Sequence, residues 1–349
     1  MSRRILLALS IVALAGVAWM QAQTPARPLA HRFDKIADGV YAAIPNGTVN
    51  VVSNSTVIIN DNDVVIVDAH ATPAAARALI EDVRTLTPKP ISYLIDTHYH
   101  WDHAHGNQAF IPIGAQIIGH EYVRQMLLTN TLESRSYRSF VDPVPGQIEN
   151  IRKQLAAETD PAKKAPIEQR LAVQVAYSDA LKEISPTPPT MTYQTRMSMF
   201  RGSREIQLLF LGRGHTGGDT VVYLPKEKIV ATGDLVVGSL PFMFMGDGFV
   251  NEWPDTMEKI LQLDFDTIIP GHGDPFKDKD RIRKYQSYLR DLWKQSGDLK
   301  KRGLTSDEAA KTVDLTSHKA DFRNLTAPGV DPRAMLRMYD VMDGRMAPR

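Results

Sequence analysis

The chain has 349 residues, a net charge of +1 and 43% hydrophobic residues, enough for one large or two ordinary globular domains. The near-zero net charge gives no sign of a nucleic-acid surface or a polybasic membrane anchor. The sequence contains no cysteine, which excludes disulfides, thiolate nucleophiles and cysteine-type zinc sites. Any bound metal must therefore be held by histidine and carboxylate.

Residues 1–22 have the layout of a secretory signal peptide, because two arginines precede an apolar run from Ile5 to Met20 and small residues follow it. Cleavage is expected after Ala18 or Ala22. The alternative is a retained anchor, since the run is nearly long enough to span a bilayer. We expect export to the periplasm or beyond, with no stable membrane anchor after cleavage.

The segment after the signal alternates short apolar runs with turn residues, and it predicts a strand-rich N-terminal half. The predicted strands read GVYAAIP, VNVVSN, STVIIN, DVVIVDAH, ISYLIDTHYH and GAQIIGH. A helix is predicted over residues 72–87, with Thr72 as its cap and Pro73 in its first turn. EYVRQMLL predicts a second helix.

Residues 132–192 are charged, alanine-rich and helical in pattern, with a break at Asp160-Pro161 and a closing SPTPPT linker. They predict a pair of helices inserted into a main domain spanning residues 33–276. Strands resume in that domain, and residues 277–349 predict a C-terminal helical extension. Two strand-rich halves with outer helices indicate the α+β class, as a four-layer αββα sandwich.

The stretch THYHWDHAHG, residues 97–106, concentrates four histidines and one aspartate. A solvated histidine-rich loop is one interpretation, and a metal site is the other. His98 and His100 stand two apart at a strand end, so both imidazoles can point the same way. Asp102 and His103 follow where the chain turns, and they can reach a second position. Two neighbouring divalent ions, roughly 3.5–4 Å apart, need carboxylate and imidazole ligands of this kind.

Three later segments favour the metal site. His215 lies in GRGHTGGD, Asp234 in ATGDLV and His272 in IIPGHGD. Each of these polar residues follows an apolar run and has glycine nearby. That pattern is typical of strand-end loops that meet at one rim of a sandwich.

These motifs, in this order, resemble those of the metallo-β-lactamase-fold hydrolases over roughly residues 40–275. The resemblance implies two Zn²⁺ ions per chain. It implies one ion on His98, His100 and His215, a second ion on Asp102, His103 and His272, and Asp234 as the bridge between them. It also implies that Asp102 orients or deprotonates the nucleophile. The bridging aspartate is similar to that of glyoxalase II-type thioesterases and lactonases.

The resemblance implies an exported dinuclear zinc hydrolase that attacks an ester-, lactone- or thioester-like carbonyl with a metal-bound hydroxide. A β-lactamase is one alternative, and a mononuclear iron enzyme similar to sulfur dioxygenases is another. A non-catalytic binding protein on the same fold is a third. The expected partner is a small molecule with an apolar part, and not a nucleic acid. The oligomeric state is left open.

Structural or supporting positions are predicted for several residues outside the motifs. The segment SLPFMFMGDGF, residues 239–249, is either an apolar wall over the metals or a loop packed in the core. Asp68 is expected to orient a ligand loop by hydrogen bonding, and His70 is a candidate for a similar supporting position. The remaining histidines are predicted to be structural or on the surface: His31, His105, His120 and His318.

Overall fold

The computed structural model describes residues 28–241 and 244–345, so the predicted signal segment lies outside the described residues. A first sheet contains seven strands in sequence order. They are β1 (His31–Ala37), β2 (Val40–Pro45), β3 (Ser55–Ile59), β4 (Val64–Val67), β5 (Ile91–Ile95), β6 (Gln116–His120) and β7 (Met191–Tyr193). Strands β1 to β4 pair antiparallel, and β4 to β7 pair parallel.

The second sheet contains five strands in the order β12-β11-β10-β9-β8. They are β8 (Arg196–Arg201), β9 (Arg204–Phe210), β10 (Thr220–Leu224), β11 (Ile229–Gly233) and β12 (Thr267–Pro270). Only the β11–β12 pair is parallel, and the other pairs are antiparallel. Each sheet therefore has parallel neighbours whose carboxyl ends open at a common rim.

Alternation along the strands builds the two faces of each sheet. In β4, Val65 and Val67 belong to the core between the sheets, whereas Val64 and Ile66 belong to the core on the outer side. In β10, Val222 and Leu224 face the other sheet, and their neighbours in sequence face the outer helices. A side-chain period of two thus buries both faces, which explains why these strands are almost continuously apolar.

Helices cover both outer faces. Helix α1 (Pro73–Val83) packs on the first sheet through residues such as Leu79, and the Thr72 side chain caps it by accepting from Ala75 N. The C-terminal helices are α7 (Trp253–Leu261), α8 (Asp280–Lys301), α9 (Ser306–Thr312) and α10 (Pro332–Met342). Of these, α7, α8 and α10 cover the second sheet and share one apolar cluster. The predicted four-layer sandwich is confirmed.

The segment predicted as a helical insertion holds three α-helices where a pair was expected. The helices between β5 and β7 are α2 (Trp101–Ala104), α3 (Glu121–Leu127), α4 (Arg135–Val141), α5 (Val144–Ala157) and α6 (Pro161–Ala180). The side chain of Asp160 caps α6 at the predicted break. Tyr137 and Ile148 pack in one apolar cluster with Trp101 of the histidine motif. Helices α4 and α5 are therefore anchored directly beside that motif.

The strand prediction for VNVVSN, residues 49–54, is wrong. Val52 adopts a positive φ of 76°, which breaks an extended strand. Asn54 instead donates side-chain hydrogen bonds to Pro270 O (2.9 Å) and Gly273 O (2.7 Å). The segment is thus a loop tied to the rim of the other sheet. Within residues 28–241 and 244–345, no helix has the length and apolar character needed to cross a membrane.

Candidate metal centre and cavity

The seven residues predicted as metal ligands meet at the rim where the carboxyl ends of parallel strands open. His98 follows β5, Asp234 directly follows β11, and His272 lies two residues after β12. His215 lies in the β9–β10 loop, where the Asp219 carboxylate accepts from Thr216 N and Oγ1 and closes a tight turn. Both sheets therefore supply side chains to one place.

The first group comprises His98, His100 and His215, and all three side chains are buried. Each offers one ring nitrogen, and these atoms lie within 4.8 Å of one another. His100 Nδ1 is 2.8 Å from His215 Nε2, and His98 Nε2 has no hydrogen-bond partner. Three imidazole nitrogens thus converge, and one of them has no hydrogen-bond partner. This arrangement fits one metal ion.

The protonation of the first group suits the same role. Burial, together with the neighbouring imidazoles, lowers the pKa of His98 well below its usual value. Burial and the adjacent His100 lower the pKa of His215 to about 3. Both rings are therefore neutral at physiological pH, and neutral imidazole is the form that ligates a metal.

The second group comprises Asp102, His103, Asp234 and His272, whose ligand atoms also lie within 4.8 Å of one another. His272 Nε2 is 3.1 Å from Asp102 Oδ2. Asp234 holds the central position, with Oδ1 3.4 Å from His103 Nε2 and Oδ2 3.4 Å from His272 Nε2. The same Oδ2 is 3.6 Å from His215 Nε2 of the first group. The Asp234 carboxylate thus lies between the two groups, where a bridging ligand would be.

The second group carries a strong negative potential. Burial opposes the ionised form of Asp102, yet His103 and His272 lower its pKa to about 2. Burial alone would lower the pKa of His272, but Asp234 and Asp102 raise it to about 10. His103 also has a raised pKa, because Asp102 and Asp234 outweigh its burial. Two buried carboxylates that hold cations this strongly also fit a divalent metal, which takes the place of the protons.

A glycine leaves room for the Asp234 carboxylate between the two groups. A Cβ on Gly271, in the PGHG motif, would lie 2.1 Å from Asp234 Oδ1 and 2.9 Å from His103 Cε1. Both distances are below van der Waals contact. Any side chain at this position would therefore displace the carboxylate that joins the two groups.

Two buried aspartates orient the ligand imidazoles. Asp68 was predicted for this role, and its Oδ2 lies 2.8 Å from His103 Nδ1 while its Oδ1 accepts from Thr97 N. The sequence interpretation missed Asp247, whose Oδ2 lies 3.0 Å from His100 Nε2 and accepts from Tyr99 Oη at 2.7 Å. The only sequence signal for it is an aspartate flanked by glycines inside an aromatic stretch. Partners of this kind fix the tautomer and direction of a metal-binding imidazole.

The other described histidines fall outside both groups. His31 and His70 form a buried chain with Asp82, in which His31 Nδ1 is 2.8 Å from Asp82 Oδ2 and the two Nε2 atoms are 3.0 Å apart. His70 contacts the motif through its backbone carbonyl, which accepts from Gly106 N, and its ring lies 3.4 Å from Ser53 Oγ, which donates to the Asp102 backbone carbonyl. The remaining three form hydrogen bonds elsewhere: His105 to Thr131, His120 to Gln194 and His318 to Asp291.

A cavity of about 240 Å³ opens over the two groups. His100, Asp102, His215, Asp234 and His272 form its floor, and its walls are mainly apolar. The wall residues are Val52, Trp101, Phe140, Val237 and Phe244, with hydroxyls from Ser136 and Ser239. No lysine or arginine lines this cavity among the described residues.

The apolar segment 239–249 takes both of the positions considered for it. Phe244 lines the cavity, whereas Phe249 is buried under the guanidinium groups of Arg213 and Arg337. Phe242 lies outside the described residues. Part of the described segment is therefore wall, and part is core.

Residues 49–272 match the family model described as the Metallo-beta-lactamase superfamily. This chain belongs to the metallo-beta-lactamase superfamily. Its relatives in the superfamily include metal-dependent hydrolases. The matched residues contain all seven members of the two groups.

Within the superfamily, the chain is 24% identical over 268 residues to the linear primary-alkylsulfatase of Pseudomonas sp. (strain ATCC 19151), covering 73% of this chain and 49% of that protein. The chain thus spans about half the length of this relative. In structure it resembles a stereoselective inverting sec-alkylsulfatase from Pseudomonas sp., with a TM-score of 0.61 and 17% identity, over 89% of this chain and 50% of that one. It also resembles a metallo-beta-lactamase from Pontibacter korlensis, with a TM-score of 0.54 and 19% identity, over 74% of this chain and 99% of that one.

Proposed function

We propose that the protein is an exported dinuclear zinc hydrolase of esters, lactones or thioesters that carry an apolar group. The proposal rests on one observation, which is that both groups of ligand residues line the floor of the same cavity. Three histidines form one ligand set, and two carboxylates with two histidines form another, with Asp234 between them. Histidine and carboxylate ligands without cysteine suit zinc.

Two bound divalent ions would lower the pKa of a water molecule and polarise the carbonyl of a substrate. The chain contributes orientation and proton handling around that chemistry. Asp102 lies at the cavity floor with Oδ2 directed at His272, and its low pKa leaves the carboxylate free to accept a proton. The apolar walls exclude water from the reacting groups and strengthen the electrostatic interactions there.

A lining without lysine or arginine favours a carbonyl compound. A substrate with a neutral reacting group needs neither residue, and the described lining supplies none. A sulfate or phosphodiester carries its charge throughout the reaction, and arginine is the usual partner for such tetrahedral anions. The metals and the apolar walls are therefore matched to an ester-like carbonyl.

A sulfate ester is the second candidate, because the comparison with alkylsulfatases supports it. One alkylsulfatase relative aligns with 73% of this chain, and a second shares its fold over 89%. The second share exceeds the span of the family match, so the likeness includes helices outside that span. A sulfate would have to be recognised by the metals alone, or by groups outside the described lining.

Zinc-loaded protein assayed on matched esters, lactones, thioesters and alkyl sulfates tests the proposal. We expect turnover of at least one carbonyl class, its loss on chelation and its recovery with zinc. Elemental analysis of the protein as purified, before any metal is added, should give close to two zinc ions per chain. One iron and no zinc would favour the dioxygenase-like alternative, and turnover confined to alkyl sulfates would favour the second candidate.

A further inference from the structure

The C-terminal helices enclose a second cavity beside the metal cavity. It measures about 650 Å³ and lies between α8, α9, α10 and the residues Pro241, Phe244 and Met245. Its lining is mainly apolar and includes Met245, Tyr288, Leu292, Leu325, Val330 and Ala334. Charged groups are confined to Lys311, Asp331 and Arg333 in the described lining. The metal chemistry makes no use of this space.

The two cavities share a wall. Phe140 of α4 and Phe244 line both of them. The ring centroids of the two phenylalanines are 6.2 Å apart in an edge-to-face arrangement. On its other side the Phe244 ring is 5.6 Å from the ring of His100. The second cavity therefore begins one aromatic ring away from the first group.

Arg333 and Gly246 hold this wall in place. The Arg333 guanidinium lies 5.4 Å from the Phe140 ring centroid and 4.9 Å from that of Phe244. It is fixed by Asp331 and by a hydrogen bond to Ser139 of α4. A Cβ on Gly246 would lie 2.4 Å from the Phe244 ring, so the ring keeps its position only because this residue is glycine. The wall is thus a defined structure that joins the C-terminal helices to the insertion.

The volumes of the two cavities show which of them has room for a small molecule. Small-molecule sites usually measure roughly 300–1,000 Å³. The metal cavity, at about 240 Å³, is below that range and holds little more than a reacting group. The second cavity, at about 650 Å³, falls within it. A substrate with a sizeable apolar part would have to extend beyond the metal cavity, and the larger space lies on the other side of the shared wall.

We propose that the second cavity binds a linear apolar chain of the substrate whose ester group reacts at the metal cavity, with the chain passing the Phe140–Phe244 wall. The proposal rests on the proposed function. It assigns the substrate class as long-chain esters, in which the chain belongs to either the acyl or the alcohol part. The mainly apolar lining recognises the chain in both cases.

Chain-length series test the proposal. We would measure kcat/KM for nitrophenyl butanoate, octanoate and dodecanoate, and in a second arm for butyl, octyl and dodecyl acetates. Each buried methylene is expected to raise kcat/KM by up to about fourfold. We expect a gain of at least roughly tenfold between the short and the long members of one series. The arm that shows the gain identifies which part carries the chain.

Substitutions that fill the second cavity should remove this gain. Val330→Trp places a large ring in the lining, and Lys311→Trp does so from an exposed position of α9 that tolerates substitution. Both should flatten the chain-length dependence while keeping activity on the short esters. Ile111→Trp adds the same ring at an exposed site away from both linings and should keep the full dependence. A dependence that survives both filling variants would overturn the proposal.

Binding to metal-free protein separates this proposal from the proposed function. Dansyl-labelled undecanoic acid should bind the metal-free wild type, with a Kd raised at least roughly tenfold in Val330→Trp and Lys311→Trp but not in Ile111→Trp. If this pattern holds while no carbonyl ester is hydrolysed, the chain site stands and the proposed ester chemistry fails. Equal binding by the wild type and both filling variants refutes the chain site.

Discussion

Replacing Asp247 is expected to weaken metal binding by the first group without any change to a ligand. The Asp247 carboxylate is buried, and its Oδ2 contacts both His100 Nε2 (3.0 Å) and Tyr99 Oη (2.7 Å). His100 Nδ1, the nitrogen directed at His215, is therefore held in position from the opposite side of its ring.

The geometry separates the effect of charge from the effect of the hydrogen bonds. Both contacts of Asp247 use the same oxygen, so Asp247→Asn can keep both with its single carbonyl oxygen and remove only the charge. Asp247→Ala removes the contacts as well. Losing such a supporting group usually costs 10–100-fold in metal affinity, about 1.4–2.7 kcal/mol. We expect the asparagine variant near the lower figure and the alanine variant near the upper one.

Zinc affinity measured by competition with a chromogenic chelator checks this order. Asp63→Asn is the matched control, because Asp63 is equally buried, pairs with Arg201 and precedes β4, at the end opposite the metal groups. It should leave zinc affinity unchanged even where it lowers stability. Affinities within twofold of wild type for both Asp247 variants would refute the assigned role.

Three further outcomes are expected. His100→Ala should lose metal from the first group and nearly all hydrolysis, whereas His105→Ala, with its ring bonded to Thr131, should keep its metal content; elemental analysis of both variants decides. Gly271→Ala should lower the metal content to about one ion per chain, because its Cβ displaces the central carboxylate, and a normal content of two would contradict that reading. N-terminal sequencing of protein from an envelope fraction should show that residues 1–22, or close to that number, have been removed, and an intact first residue on cytoplasmic protein would contradict export.

The motif residues could be found from the sequence because each lies in a loop or short turn that follows an apolar strand. Glycine-flanked histidine or aspartate after such a strand has one common physical cause, which is that strand ends meet at a rim. His215 and Asp234, far from the histidine motif in sequence, were located in this way. Their grouping in the structure follows the predicted grouping, with Asp234 in the central position.

Other features could not be predicted, because long-range contacts determine them. Asp247 lies 147 residues from His100 in sequence, and no local pattern connects the two. The loop at residues 49–54 has the composition of a strand, yet hydrogen bonds from Asn54 to the opposite sheet turn it away. Strand β8 was missed because its side chains are mostly exposed or half-buried, so its hydrophobic alternation is weak.

We expect the protein to hydrolyse esters faster than β-lactams. An alkoxide or thiolate leaves without a proton, whereas an amide nitrogen needs one delivered as its bond breaks. Apart from the two groups, the polar side chains of the described lining are the hydroxyls of Ser136 and Ser239, which are weak acids. Asp102, with its pKa near 2, is ionised in the resting site and brings no proton of its own to the reaction.

Because the lining has no good proton donor for a leaving nitrogen, we expect ester, lactone or thioester turnover to be the faster reaction. Ring strain in a β-lactam offsets part of the poor leaving group, so weak lactamase activity is compatible with the site. The decisive measurement compares kcat/KM for a chromogenic cephalosporin with values for a matched lactone and thioester series on zinc-loaded protein. We expect the cephalosporin to be the poorer substrate. A cephalosporin value a hundredfold above all the others corresponds to about 2.7 kcal/mol of transition-state binding. A difference of that size would mean that the lining does deliver a proton to nitrogen, and that the protein is a lactamase.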